Sequence, residues 1–188
     1  MSEISKTGFW SGNTAHNHHV HCANLANWIA NYLNDYKDSP LYDFGCGMGD
    51  YLSAFKSAGF NQLTGFEGDP PVQRRFDNIK QQDLSKPFTV DQQGNCLFLE
   101  VAEHVPAEFE SIVLDNVTAA CNNKLIMSWA IVGQAGFGHV NCLDNDDAIK
   151  RITDRGFVYL KEDSEAARSI NLDVAPWFKN TILIFQKK

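Results

Sequence analysis

The stretch Asp43-Phe44-Gly45-Cys46-Gly47-Met48-Gly49-Asp50 decides the fold of this chain. It follows the apolar residues Leu41 and Tyr42 and precedes residues 51–58, whose apolar positions have helical spacing. Glycine adopts positive φ and has no Cβ, so a ligand can approach the backbone of such a turn closely. The helix that follows presents N–H groups without intrahelical partners. The stretch therefore predicts a strand, a glycine turn and a helix that together bind a small polar ligand.

The spacing of the three glycines separates two classes of cofactor. The dinucleotide-binding fingerprint is G-x-G-x-x-G, and it places a pyrophosphate at the helix N-terminus. Here Gly49 follows Gly47 by two residues rather than three, and Asp50 would oppose a pyrophosphate with like charge. The spacing thus disfavours a nicotinamide-dependent reductase and favours a cofactor with a cationic head.

The same stretch resembles motif I of class I S-adenosylmethionine-dependent methyltransferases, in which the glycine loop holds the amino-acid part of the cofactor. The resemblance implies that the cofactor is S-adenosylmethionine or its product S-adenosylhomocysteine. It also implies that the cofactor contacts Asp43, Gly45, Cys46, Gly47 and Gly49.

Composition limits the remaining function classes. The chain has 188 residues and a net charge of −7, which argues against a nucleic-acid surface because phosphate binding needs an excess of Lys and Arg. No apolar run approaches the roughly 20 residues of a membrane span, and the N-terminus lacks the layout of a signal peptide. The five cysteines form no C-x-x-C pair. This usage predicts a cytoplasmic protein with free thiols.

Apolar periodicity predicts strands that alternate with helices. Such a pattern indicates a Rossmann-like α/β fold: a doubly wound, mostly parallel seven-stranded sheet with helices on both faces. Residues 177–181 resemble the family's lead-in to an antiparallel terminal strand. We expect a single domain, with an N-terminal helical lid at 1–38 and the Rossmann-like core at 39–188. The predicted strands are residues 41–44, 62–66, 78–81, 96–99, 124–129, 157–160 and 181–186, and the predicted helices are residues 18–36, 50–58, 106–121 and a segment that begins at 144–147.

Acidic residues follow four successive predicted strands: Asp43, Glu67, Asp83 and Glu100. Ligands of such folds bind at the carboxyl ends of the strands, so these groups are expected at one edge beside the glycine turn. Glu67 lies 18 residues beyond Gly49, the distance expected for a carboxylate that binds ribose hydroxyls. By resemblance, Asp83 meets the adenine amine, and the remaining cofactor contacts are Gly68, Leu84, Glu100 and Val101.

Residues 98–106 resemble the family's motif after the fourth strand, and they contain the chemistry-bearing groups Glu100, Glu103 and His104. Their E-x-x-E-H spacing resembles the divalent-metal site of ubiquinone-pathway O-methyltransferases and small-RNA 2′-O-methyltransferases. His139, after the fifth strand, is at a suitable position to complete a site for Mg²⁺, Mn²⁺ or Fe²⁺. A metal-free alternative, with His104 or His139 as the general base beside Glu103, stays open.

The acceptor side of the site has weaker sequence signals. His16, His18, His19 and His21 precede the first predicted helix, and if that helix extends back, His18 and His21 share a stripe that can line the pocket. The aromatic side chains Trp10, Trp129 and Phe137 lie near predicted loops and are further candidates, with Trp129 selected alongside the two histidines.

These patterns predict a methyltransferase that acts on a small molecule, at oxygen rather than nitrogen because of the histidines and the acidic edge. The alternative from another class is a non-catalytic S-adenosylmethionine-binding or regulatory protein. The sequence contains no pattern that predicts an oligomeric state.

Overall fold

The protein folds around one seven-stranded sheet. The computed structural model describes residues 4–11, 14, 18–70 and 72–188. The strand order is β3-β2-β1-β4-β5-β7-β6, in which β7 runs antiparallel to both of its neighbours and the other strand pairs are parallel. The strands are β1 (Leu41–Phe44), β2 (Leu63–Glu67), β3 (Ile79–Gln81), β4 (Gly94–Phe98), β5 (Cys121–Ser128), β6 (Phe157–Tyr159) and β7 (Ile182–Lys187).

Helices cover both faces of the sheet. The helices are α1 (Ala23–Tyr32), α2 (Asp50–Ser57), α3 (Ala107–Ala120), α4 (Asn145–Thr153), α5 (Lys161–Arg168) and the single turn α6 (Phe178–Thr181). Helices α1, α2, α5 and α6 contribute to the hydrophobic cluster on one face, and α3 and α4 contribute to the cluster on the other. The predicted Rossmann-like architecture, with its mostly parallel sheet and antiparallel terminal strand, is therefore confirmed. Within the described ranges no helix is both long and apolar enough to cross a bilayer.

The N-terminal region differs from the predicted helix at 18–36. Helix α1 begins at Ala23, because Cys22 has extended backbone angles (φ −104°, ψ 97°), so His18 and His21 precede the helix instead of forming a stripe on it. The helix is part of the core, since Leu25 and Ile29 are completely buried. Among the described residues of 1–38, a hairpin at residues 4–10, closed by the Ile4–Trp10 bridge, and residues 18–20 lie at the ligand-binding edge.

The other differences are shifts at element ends. Strand β5 starts at Cys121, directly after α3, where a connecting loop was predicted before residue 124. The polar segment between β6 and β7 contains α5 and α6. Ala167 of α5 and Phe178 of α6 are buried in the hydrophobic core.

The strand order fixes where a ligand can bind. Strand β1 lies between β2 and β4, because the chain adds β2 and β3 on one side of β1 and then crosses back to add β4 on the other side. The carboxyl ends of β1 and β4 therefore border the switch point at which open α/β sheets bind their ligands. The glycine turn follows β1, and Glu100 lies two residues after β4.

Candidate active site

A cavity of about 340 Å³ opens at the switch point. Its walls come from the ends of β1 to β4, the hairpin at residues 4–10, the segment around His19 and the loop that follows β5. Gly49 does not line it and instead caps the N-terminus of α2. Ten of the predicted cofactor contacts line the cavity: Asp43, Gly45, Cys46, Gly47, Glu67, Gly68, Asp83, Leu84, Glu100 and Val101.

The turn after β1 depends on glycine for its backbone conformation and for space. Gly45 and Gly47 have φ values of +73° and +52°, in the left-handed region that side chains disfavour. A Cβ at Gly45 would lie 2.5 Å from Val101 Cγ2, and one at Gly47 would lie 2.9 Å from His19 Cδ2. The turn thus brings bare backbone up to the cavity wall.

The carboxylate of Glu67 connects the glycine turn to the end of β2. Its Oε2 accepts a hydrogen bond from the Gly47 N–H at 2.8 Å, and its Oε1 accepts one from the Gly68 N–H at 2.8 Å. Each carboxylate oxygen has a second lone pair, so Glu67 keeps acceptor capacity for a ligand. Burial raises the pKa of Glu67, although the two N–H groups act in the opposite direction.

Asp43 contributes a carboxyl group that titrates near neutrality. Its side chain is buried at the end of β1, and this burial raises its pKa to about 7. His19 lowers the pKa of Asp43 and the charge of Glu67 raises it. A cationic ligand beside Asp43 would favour the ionised form.

His19 occupies a position that the sequence did not single out from its histidine neighbours. Its ring lies against Gly47, and its Nδ1 is 3.5 Å from Asp50 Oδ2. Arg75 Nη1 is 3.1 Å from the other oxygen of Asp50. The hydrogen bond with His19 lowers the pKa of Asp50, and Arg75 lowers it further. Asp50, expected to repel a pyrophosphate, is thus the ion-pair partner that holds His19 over the glycine turn.

The N-terminal hairpin covers the other end of the acidic edge. Thr7 Oγ1 donates to Asp83 Oδ2 at 3.2 Å, and the Ser85 N–H donates to Asp83 Oδ1 at 2.9 Å. Phe9 packs so closely on Gly68 that a Cβ there would lie 2.1 Å from Phe9 Cγ. The hairpin therefore borders the positions predicted to meet the adenosine part of a cofactor.

Glu100 is held in a strained turn after β4. It is the non-glycine residue with positive φ in the described part of the chain, at +54°. Its N–H donates to Ser128 Oγ at 2.7 Å, and Ser128 Oγ donates to Glu100 Oε1 at 2.8 Å. Burial raises the pKa of Glu100 to about 7. The neighbouring Glu103 is completely buried, and its pKa is raised well above the ordinary value by burial and by Glu100.

Three of the four predicted metal ligands come together. Among the described residues, Glu103, His104 and His139 each place a ligand atom within 4.8 Å of the others, whereas Glu100 is outside this group. His104 Nδ1 is 3.2 Å from the Gly138 carbonyl oxygen, and His139 Nδ1 is 3.1 Å from the Gln134 carbonyl oxygen. A carbonyl only accepts, so Nδ1 is the hydrogen-bond donor in each ring.

His104 is suited to act as an uncharged imidazole. Its pKa is lowered to about 4, mainly by burial and further by the proximity of His139. The rings of His104 and His139 meet edge to face with centroids 5.0 Å apart. Both histidines line the cavity, whereas Glu103 lies behind its wall.

The predicted acceptor-binding residues are distributed differently. His18 lines the cavity and stacks on Phe137, with ring centroids 4.5 Å apart. His21 is not among the lining residues and packs edge to face on Tyr51. Trp129 directly follows β5, is completely buried in the hydrophobic cluster that α3 covers and donates its Nε1–H to the Asn141 carbonyl at 2.6 Å. The structure thus places His21 and Trp129 outside the site, and His16 lies outside the described residues.

Further residues of the site were only partly predictable from the sequence. Ser128 does not line the cavity but binds Glu100; it ends β5 beside the end of β4, so extending the strand-end rule to a hydroxyl would have found it. Trp10, a candidate from the sequence, lines the cavity and contacts His104, but no periodicity encodes the position of its hairpin. Gln134 contributes through a loop that is equally unpatterned.

Comparison with known proteins shows similarity in structure rather than in sequence. No protein-family model and no curated protein matches the chain significantly. The structure of magnesium protoporphyrin IX methyltransferase from Synechocystis PCC 6803, with bound S-adenosylmethionine, superposes with a TM-score of 0.64 and 16% identity over 88% of this chain and 79% of that one. The 1,6-didemethyltoxoflavin-N1-methyltransferase of Burkholderia thailandensis, with bound S-adenosylhomocysteine, has a TM-score of 0.64 and 12% identity over 87% of this chain and 78% of that one.

A third structure with the same architecture has a different activity in its name. The [4+2]-cyclase SpnF superposes with a TM-score of 0.64 and 14% identity over 99% of this chain and 88% of that one. At these identities the similarity establishes the fold. The chain has the class I S-adenosylmethionine-dependent methyltransferase fold that the glycine turn and the acidic strand ends predicted.

Proposed function

We propose that this protein is an S-adenosylmethionine-dependent methyltransferase that acts on a small molecule. The observation that carries the proposal is the cavity at the switch point, where the glycine turn and four acidic strand ends line one wall. None of the described residues that line it is Lys or Arg. Such a wall suits a cationic sulfonium cofactor and opposes the phosphates of a dinucleotide.

The wall residues support one place for each part of the cofactor in this proposal. The amino-acid part lies against the turn formed by residues 45–49, near Asp43 and His19. The ribose hydroxyls donate to the free lone pairs of Glu67, and the adenine lies between Asp83 and Leu84. Each of these residues lines the cavity except Met48 and the helix cap Gly49.

Methyl transfer from this cofactor is a direct displacement. The acceptor atom forms a bond to the methyl carbon while the methyl–sulfur bond breaks, and the sulfur takes the electron pair to become the thioether of S-adenosylhomocysteine. The enzyme aligns the two reactants and removes the proton of the acceptor. His104 and His139 line the cavity and each uses Nδ1 for a backbone carbonyl, which supports Nε2 of either ring as the atom that accepts this proton. An acceptor with an ionisable hydroxyl fits such a base, which supports O-methylation.

A divalent cation is a second candidate for activating the hydroxyl. The donor set of Glu103, His104 and His139 fits Mg²⁺, Mn²⁺ or Fe²⁺, and each Nδ1 is held by a backbone carbonyl, as metal-binding histidines usually are. Such an ion would lower the pKa of a bound hydroxyl. Glu100 instead accepts hydrogen bonds from Ser128 Oγ at 2.8 Å and from Gln134 Nε2 at 3.5 Å. These two contacts favour a position of Glu100 apart from the ion.

Two comparisons bear on the choice between an enzyme and a binding protein. The methyltransferases of Synechocystis and Burkholderia thailandensis act, by their names, on small molecules. The cyclase SpnF shows that this fold is not confined to methyl transfer. The two histidines and Glu103 beside the cavity favour catalysis over simple cofactor binding, because binding alone requires none of them.

The proposal is tested by detecting methylated products. The purified protein is incubated with S-adenosylmethionine and a panel of small-molecule acceptors, with and without EDTA, and the products are measured by mass spectrometry. We expect a product that gains one methyl group, and a loss of rate of about 10²–10⁴-fold in His104→Ala if His104 is the base. A rate that is indifferent both to EDTA and to His104→Ala would exclude both roles of His104.

A further inference from the structure

Aromatic rings close the end of the cavity that the cofactor does not fill. Trp10 meets His104 edge to face at 5.1 Å and Phe137 at 6.1 Å between ring centroids. His18 stacks on Phe137 at an interplanar angle of 6°, and His139 meets His104. The five rings come from four separate parts of the chain: the hairpin, the segment before α1, the loop after β4 and the loop after β5. We call them the ring cluster.

The ring cluster continues to the mouth of the cavity as apolar surface. Phe137 is 41% exposed and Val20 is 42% exposed, and both also line the cavity. A molecule that enters therefore passes apolar and aromatic side chains before it reaches His104 and His139. Aromatic faces and edges bind a planar ring better than a saturated one of equal size, because their quadrupoles favour stacked and edge-to-face contacts.

The charge of the wall restricts the acceptor as well. The charged side chains among the described lining residues are the carboxyl groups of Asp43, Glu67, Asp83 and Glu100, with no Lys or Arg to balance a negative ligand. A carboxylate or phosphate on the acceptor would lose its hydration without gaining a cation. A positively charged acceptor would instead face the sulfonium of the cofactor across the transferred methyl group, and like charges repel at that distance.

We propose that the methyl acceptor is an uncharged planar aromatic compound that carries a ring hydroxyl, bound by the ring cluster. This inference rests on the proposed function and names the substrate class of the same site. In the reaction the hydroxyl loses its proton to a histidine Nε2, the oxygen forms its bond to the methyl carbon, and the sulfonium leaves as a neutral thioether. The product is an aryl methyl ether, which is also uncharged.

The test uses four probes of similar size that differ in charge or planarity. They are 2-naphthol, anionic 2-naphthoate, cationic 2-naphthylmethylammonium and the saturated alcohol 2-decalol. Binding to the 188-residue protein saturated with S-adenosylhomocysteine is measured by calorimetry at pH 7.5, except that the cationic probe is measured with S-adenosylmethionine, whose sulfonium is the charge that it opposes. We expect 2-naphthol to bind at least about tenfold more tightly than each of the others. 2-Decalol lacks the aromatic contacts, 2-naphthoate loses its hydration without gaining a cation, and the cationic probe meets a like charge.

Variants locate the probe. Phe137→Leu keeps an apolar side chain but removes the ring, and we expect it to weaken 2-naphthol binding by about fivefold or more. Phe109→Leu is the matched control, because Phe109 is partly buried against the core and does not line the cavity. Trp10→Leu independently removes a second ring of the ring cluster. Thermal unfolding of each variant shows whether it is folded before its binding is measured.

The outcomes separate this inference from the proposed function. If S-adenosylhomocysteine binds but 2-naphthoate, the cationic probe or 2-decalol binds as tightly as 2-naphthol, the acceptor class is wrong and the cofactor assignment stands. Equal 2-naphthol affinities in the wild type, Phe137→Leu and Trp10→Leu would also overturn it, since the ring cluster would then not form the binding site. If S-adenosylhomocysteine does not bind at all, both proposals fail together.

Discussion

Asp43 is the residue whose ionisation reports most directly on cofactor binding. Its burial raises its pKa from 3.8 to about 7, so the carboxyl group is largely protonated in the free protein at pH 6. A cationic cofactor favours the carboxylate and displaces that proton. We predict that the affinity for S-adenosylmethionine rises with pH between 6 and 8, by at most about tenfold per pH unit for one released proton. Calorimetry at several pH values measures it, and an affinity that falls over this range would contradict the role of Asp43.

The same ionisation has an opposite effect on the stability of the free protein. Between pH 4 and pH 7 the unfolded chain loses the Asp43 proton while the folded chain keeps it, so this residue's contribution to stability is complete at low pH and is lost as pH rises through about 7. Asp43→Asn removes the titrating group. We predict that the variant shows a shallower pH dependence of both its denaturant midpoint and its cofactor affinity. Unchanged slopes in the variant would assign the effect to other groups, of which Glu100 has the nearest pKa.

The glycine turn between β1 and α2 is the element that we propose to admit the cofactor. Gly47→Ala places a Cβ 2.9 Å from His19, at a positive φ that also strains alanine. Gly133→Ala is a matched control, because Gly133 also has positive φ and a Cβ there meets nothing within 4 Å. We predict that Gly47→Ala weakens S-adenosylhomocysteine binding by at least about tenfold, the loss expected when a ligand-facing backbone is obstructed by about 1.4 kcal/mol. Equal binding in both variants would contradict the assignment of the cofactor to the backbone at Gly47.

Elements were predictable where local pattern and tertiary role agree. Strand β1 was predicted with both of its ends, because Leu41 and Phe44 are buried and the following glycine breaks the strand. Helix α1 was predicted five residues too long at its start, because the residues around His19 leave the helical path to reach the glycine turn. The hairpin at residues 4–10 has no apolar periodicity of its own and is held by contacts with Asp83, Gly68 and His104. Such contacts exist only after the rest of the chain has folded, so sequence pattern cannot show them.

At the scale of the whole molecule, the two hydrophobic clusters on either side of the sheet carry the stability. Ile126 lies in the middle of β5, completely buried. We predict that Ile126→Ala lowers the free energy of unfolding by about 2–5 kcal/mol, through lost burial and the cavity left behind. Val174, which is 63% exposed, provides the control, and Val174→Ala should change it by less than about 0.5 kcal/mol. Urea unfolding measures both, and a similar cost at both positions would contradict the assigned core.

The proposed cofactor site was more predictable than the proposed acceptor site, because the sheet topology alone determines which strand ends meet. Cofactor contacts follow the strand ends, which the sheet topology brings together, and ten of the eleven predicted residues line the cavity. The acceptor end is built by the hairpin and by the loop around Phe137, whose side chains meet only through the tertiary fold. Trp129 is an aromatic residue near a predicted loop, as expected for an acceptor contact, but its side chain packs in the core beneath α3 and does not line the cavity.

The proposed function depends on the identity of the cofactor. Isothermal titration calorimetry of the purified protein with S-adenosylhomocysteine, and separately with NAD, tests it most directly. We predict saturable binding of one S-adenosylhomocysteine per chain, weakened in Gly47→Ala, and no binding of NAD. Failure of both S-adenosylhomocysteine and S-adenosylmethionine to bind at millimolar concentration, or binding of NAD in their place, would contradict the central claim.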